Sequence, residues 1–158
     1  MPAPGWLTAR PVAHRGYHDA AAGRLENTLP AAEAAIAKNF AIECDLQLTS
    51  DGQVAVFHDD TLERLTKATG AVAGKTMAQL RSVAFRESDA TIPSLEDLLD
   101  LVAGRVPLVI ELKSQFDGDH RLEAAAAAAL LGYQGPVAVM SFDPSQMIRF
   151  RQLAPAIP

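Results

Sequence analysis

Five short apolar runs separated by stretches of helical pattern constrain this chain most, because strands interleaved with helices build a largely parallel α/β sheet. The runs are Pro11–His14, Ala41–Thr49, Gln53–His58, Val106–Lys113 and Val137–Phe142. Helices are predicted from about Leu29 to Lys38, from a short start at Thr76, from Ser94 to about Ala103, from about His120 to Leu131, and from Asp143 through about Leu153. Their ends carry the expected chemistry. Thr28, Ser94 and Asp143 can cap N-termini, Pro30 and Pro144 suit first turns, and Gly104 and Gly132 suit stops. Thr76 with Gln79, and Ser94 with Asp97, have capping-box spacing. The six alanines Ala124 to Ala129 are helix filling. Ser50, Asp51 and Gly52 make a turn short enough for a hairpin between the second and third runs, although another side-by-side arrangement fits the same residues. Residues 60 to about 90 are the least regular and read as an insertion after the third strand.

At 158 residues, 49% of them hydrophobic, the chain suits one globular domain. Five strands would fill an open doubly wound sheet at this length, whereas an eight-stranded barrel takes about 250 residues. Length alone therefore favours the open sheet. A net charge of −5 excludes the broad positive field that nucleic-acid binders use, so any phosphate must be held locally. The single cysteine, Cys44, cannot form an intrachain disulfide, and its apolar neighbours make it core packing. The first residues lack an apolar signal region, and no run approaches the ~20 apolar residues of a membrane span, so a cytoplasmic location is expected.

The runs share a second property: four of them end on residues that can ligate, titrate or carry charge. The first ends at His14 and Arg15, the second holds Glu43 and Asp45, the third ends at His58, and the fourth at Glu111 and Lys113. Active sites in parallel α/β folds form at the C-terminal strand edge, so these side chains are expected at one mouth. Strand alternation puts Glu43 and Asp45 on one face, with Ile42, Cys44 and Leu46 on the other. Glu111 and Lys113 share a face of an otherwise apolar strand, and a buried glutamate needs a partner to offset its desolvation. Three carboxylates without a thiolate suit a hard cation, Mg²⁺ or Ca²⁺, with Mn²⁺ a further option. Two histidines beside such a cluster suit acid/base chemistry. Arg15 and Lys113 could meet phosphate oxygens, and Lys113 beside Glu111 reads equally well as a salt bridge. His18 and His120 read as solvated, and Asp59 and Asp60 as caps of the turn after the third run.

In order along the chain stand A-H-R-G (13 to 16), E-N-T (26 to 28), I-E-C-D-L-Q-L-T-S-D-G (42 to 52), V-F-H-D (56 to 59), T-L-E-R-L-T (61 to 66), I-P-S-L-E-D-L-L (92 to 99), I-E-L-K (110 to 113) and S-F (141 to 142). Each is weak alone, but the ordered series resembles the glycerophosphodiester phosphodiesterase family through most of the chain. The resemblance implies a (β/α)₈ TIM barrel of the phospholipase-C-like phosphodiesterase type, with residues 1–158 holding its first five β/α units as a fragment. The family's later strands, including its W-T-V-N-like segment, find no counterpart here. It also implies that Glu43, Asp45 and Glu111 bind a divalent metal, that His14 and His58 are the catalytic acid/base pair, and that Arg15 and Lys113 contact phosphate. Glu26 and Asn27 are placed near the mouth. The implied activity is hydrolysis of a small-molecule glycerophosphodiester to an alcohol and glycerol 3-phosphate. A lysophospholipase D activity and a non-catalytic barrel that binds a phosphodiester or a protein partner are the alternatives.

Overall fold

The computed structural model describes residues 3–158. Its sheet has five strands, β1 (Val12–Ala13), β2 (Ala41–Leu48), β3 (Val54–Val56), β4 (Leu108–Leu112) and β5 (Val137–Met140). The order is β1-β2-β4-β5, all parallel, with β3 paired to β2 off that path. The helices α1 (Leu29–Ala37), α2 (Met77–Arg81), α3 (Leu95–Val102), α4 (Arg121–Leu130) and α5 (Pro144–Leu153) fall where the sequence puts them. Thr28, Thr76, Ser94 and Asp143 each cap a helix through the side chain, and both capping boxes form.

One strand differs from the expectation. β3 runs antiparallel to β2, with Leu46 opposite Val56 and Leu48 opposite Val54, so it is the return arm of a hairpin. The turn decides this: Gly52 takes φ 77° and its N–H bonds the Thr49 carbonyl, while the Thr49 hydroxyl bonds Asp51. Such a turn reverses the chain at once, leaving no crossover helix for a parallel return. The chain therefore holds four β/α units and a hairpin, where the sequence suggests five units.

Two cores divide the apolar residues. The main one packs α1, α3, α4 and α5 against the sheet through residues such as Ile42, Leu46, Leu99, Leu108, Ile110 and Phe150. A second, built from Ala55, Phe57, Leu62, Leu80, Phe85 and Ile92 among others, underlies the irregular segment between β3 and α3. That segment is thus packed on its own apolar cluster rather than draped over the surface. Neighbouring parallel strands meet through the prolines that precede them: Ala41, Ile42 and Leu108 donate backbone N–H to the carbonyls of Pro11, Pro107 and Pro136, while Val139 of β5 donates to Pro158 beyond α5. Among the described residues, no helix is long and apolar enough to cross a membrane.

Candidate active site

The β2/β4 register sets Asp45 directly beside Glu111, and Glu43 lies on the same face of β2. All three are buried, at 5% (Glu43), 1% (Asp45) and 8% (Glu111) exposure. Each offers a carboxylate oxygen within 4.8 Å of the others, a grouping built from the two central strands. Asp45 is held from below by Asn27, whose Nδ2 donates to Oδ2 at 2.8 Å while its Oδ1 accepts from the Asp45 N–H at 3.3 Å. Lys113 Nζ donates to Glu111 at 3.0 Å and stands 3.9 Å from Asp45, so the salt bridge anticipated for Lys113 forms.

Glu43 is the least satisfied of the three. Its Oε2 accepts the Arg15 N–H at 2.9 Å, but its Oε1 is buried without a partner. Burial pushes its carboxyl up to about 7, and the charges of Asp45 and Glu111 add to the rise, while the Arg15 N–H opposes it. A bare carboxylate oxygen in the interior is costly for a structural group and fits a site for a hard cation, which would offset much of the trio's charge and give that oxygen a partner. All-oxygen donors match Mg²⁺ or Ca²⁺ better than zinc.

His14 and Arg15 follow β1 directly. His14 Nε2 is 3.8 Å from Glu43, with the side chain 69% exposed, so the ring stands at the open edge of the trio. Arg15 adopts φ 58° and Gly16 φ 80°, a tight turn that aims the Arg15 N–H at Glu43. The turn also presses on α1: a Cβ on Gly16 would meet the Ala31 Cβ at 2.8 Å, so only glycine fits. The Arg15 side chain reaches Glu26 at 2.9 Å and Asp45 at 3.4 Å, which brings Glu26 and Asn27 to the site as the sequence suggests.

His58 arrives differently from the expectation of a parallel strand exit. The hairpin folds β3 back along β2 until the Phe57 N–H bonds the Asp45 carbonyl, and His58 follows at that level. Gln47, two residues beyond Asp45 on the same face, clips the return arm by donating to the carbonyls of Phe57 and Asp59. His58 Nδ1 lies 2.7 Å from Asp59 Oδ1. Asp59 is therefore more than a turn cap: Arg64 bonds both of its oxygens and, with the smaller help of His58, holds its carboxyl down at about 2 despite partial burial. Asp60 instead accepts from Gln115. Arg64 is given no role by the sequence, because its bridging depends on Glu26, 38 residues away in the chain.

A cleft of about 400 Å³ opens beside Lys113, lined by Gln47, Gln115, Arg121 and Gln146 among others. A larger groove of about 990 Å³ runs along the Arg81–Thr91 loop, remote from the carboxylates.

Parallel strands with flanking helices, and a polar site at their C-terminal edge, define the class as a parallel α/β protein. A model of the glycerophosphoryl diester phosphodiesterase family matches residues 14–158, and the chain belongs to that family. The glycerophosphodiester phosphodiesterase of Bacillus altitudinis is 35% identical over 156 residues, covering 92% of this chain and 62% of that protein. The crystal structure of a glycerophosphodiester phosphodiesterase from Agrobacterium tumefaciens matches with a TM-score of 0.78 at 30% identity, over 94% of this chain and 64% of the other. A phosphodiesterase of Oleispira antarctica, in complex with the product sn-glycerol-3-phosphate, matches with a TM-score of 0.83 at 26% identity, over 94% and 63%. The fold is accordingly that of the (β/α)₈-barrel phosphodiesterases, and the chain spans a little over three fifths of the relatives it matches.

Proposed function

We propose that this chain carries the catalytic centre of a metal-dependent glycerophosphodiester phosphodiesterase, which releases an alcohol and glycerol 3-phosphate. The observation that carries the reading is the buried trio of Glu43, Asp45 and Glu111, with one bare oxygen, flanked by His14 and His58. Three inward carboxylates faced by a single lysine and one arginine, with one oxygen bare, suit a place where a cation and an anionic substrate meet.

Glu43, Asp45 and Glu111 would hold Mg²⁺ or Ca²⁺, which supplies Lewis-acid stabilisation of charge on a phosphate oxygen. Arg15 and Lys113 add positive charge on either side of the trio for the non-bridging oxygens. Asp59 accepts from His58 Nδ1, which leaves Nε2 with the lone pair and suits His58 to act as base. In that role Nε2 takes the proton of the substrate's own glycerol hydroxyl, whose oxygen attacks phosphorus as the bond to the departing alcohol breaks. His14, exposed at the open edge, gives that alcohol its proton. Water then opens the cyclic phosphate with the two histidines in exchanged roles, returning both to their starting forms.

The test is release of free choline from glycerophosphocholine with added Mg²⁺ and in excess EDTA. Turnover that needs the metal is expected. Full activity in EDTA, or none under any divalent ion, overturns the reading.

A further inference from the structure

The T-L-E-R-L-T stretch is absorbed by neither the carboxylate trio nor the histidine pair, yet one of its side chains joins the two halves of the site. Arg64 Nε and Nη2 bond Asp59 Oδ2 and Oδ1 at 2.5 and 2.9 Å. Its Nη2 and Nη1 also reach Glu26 Oε1 and Oε2 at 2.7 and 3.1 Å. One planar guanidinium thus meets four oxygens of two carboxylates. Beyond Asp59 stands the His58 ring, and beyond Glu26 stands Arg15, whose Nη1 donates to Glu26 Oε1 at 2.9 Å. The chain of contacts runs His58, Asp59, Arg64, Glu26, Arg15, Asp45.

Arg64 is a poor candidate for a purely structural residue. Its side chain is 47% exposed, so solvent screens these pairs, and the network's contribution to folding is smaller than four buried charge contacts would give. Its geometry is nevertheless demanding, since only a fork with several donors can serve two carboxylates at once. Without it, two anions would face each other with no cation between them, and each would be free to turn from its other partner. Asp59 would then release the His58 ring, and Glu26 would release Arg15.

We propose that Arg64 is a positioning residue that locks the His58 ring through Asp59 and the Arg15 guanidinium through Glu26 into one frame. The proposal rests on the reading of His58 as an acid/base group. Asp59 fixes the ring with its proton on Nδ1, and Arg64 fixes Asp59, so the outer residue controls which nitrogen faces the substrate. Because both arms share one guanidinium, displacement of either would be felt by the other.

The test uses the Mg²⁺-loaded protein and three measurements. Turnover of glycerophosphocholine by Arg64→Ala should fall on the order of 10²-fold, the cost of a misplaced reacting group, with the urea midpoint little changed. Arg64→Lys keeps the charge but cannot span four oxygens, so it should fall similarly, and added guanidinium ion should restore part of the loss in Arg64→Ala only. Long-range ¹H–¹⁵N spectra at a pH where the ring is neutral should show one His58 tautomer in the parent and a mixture in both variants. Unchanged turnover, a single unaltered tautomer, or a loss that tracks the unfolded fraction overturns the proposal. If Arg64→Ala does not fold, Arg64→Lys decides by the same criteria. If His58→Ala turns over normally, the acid/base reading fails, while the tautomer spectra still decide whether Arg64 sets the ring.

Discussion

A carboxylic acid buried with one bare oxygen resists ionisation, and Glu43 is in that position. Its carboxyl, ordinarily near 4.5, is pushed up to about 7 by burial, so the metal-free folded protein binds this proton more tightly than the unfolded chain does. By linkage the resulting stabilisation is fully present below the unfolded value and lost as pH rises through the folded one. The melting temperature of the metal-free protein should therefore fall from about pH 5 to about pH 8. Asp59, held at about 2, contributes with the opposite sign but below that window. Glu43→Gln should flatten the fall and Mg²⁺ should offset it; a metal-free protein that gains stability across this range would contradict the burial argument. The same chemistry governs ligation. Glu43→Gln, Asp45→Asn and Glu111→Gln each keep the side-chain shape but remove an anionic ligand, so calorimetry should show weaker Mg²⁺ binding in all three, with activity falling alongside. His14→Ala and His58→Ala should each cost on the order of 10² to 10⁴ in rate while metal binding persists. A double variant within a few-fold of the parent would make both histidines structural.

At the scale of elements, the β2–β3 hairpin is the part on which the site most depends. β2 carries two carboxylates and Gln47, and the return arm brings His58 back to the level of Asp45. Gln47 holds that arm through two carbonyls, at 3.0 and 2.6 Å, without touching the carboxylates itself. Gln47→Ala should therefore lower turnover on the order of 10-fold through misplacement of His58, and leave Mg²⁺ affinity near that of the parent. Equal losses in both quantities would show that the hairpin supports the carboxylates and the histidine alike. The turn after β1 is the other critical joint. Gly16 combines φ 80° with contact against Ala31, so Gly16→Ala should destabilise by at least ~2 kcal/mol in urea unfolding. Helix caps and the 28–38 helix were legible in the sequence because they depend on neighbours within four residues. The direction of β3 was not, since the same five-residue connection admits more than one pairing and only the turn geometry selects between them.

At the scale of the whole molecule, β1 and β5 lie at the ends of the sheet order. Near the β5 end, Phe142 and Ile148 are 81% and 64% exposed, and Met140 is partly so. Pro158 covers this edge at one point, accepting the Val139 N–H, but an apolar edge left largely open is a template for association. A protein of these 158 residues should therefore self-associate in sedimentation experiments at tens of micromolar, a typical range for transiently exposed apolar surface. Ile148→Lys should reduce the association, and a sharply monomeric parent would count against this edge as the cause. The second core has a separate consequence. Ile92, Phe57 and Leu80 bury the segment between β3 and α3 beside the arm that bears His58, so that segment supports the site from outside the barrel sheet.

Much of this architecture follows from the sequence by itself: strand period, helix caps, the shared face of Glu43 and Asp45 within β2, Glu111 within β4, and His14 and Lys113 just beyond β1 and β4 are local matters, fixed by alternation and short-range hydrogen bonds. What only the tertiary structure decided are the quantities that depend on distance through space. Arg64 meets Glu26 across 38 residues of chain, and Asn27 grips Asp45 across 18. Glu43 owes its raised carboxyl to burial and to two neighbouring charges, one of them on another strand. Desolvation and charge–charge coupling arise only when the sheet closes around these groups, so no local pattern in the chain can encode them visibly.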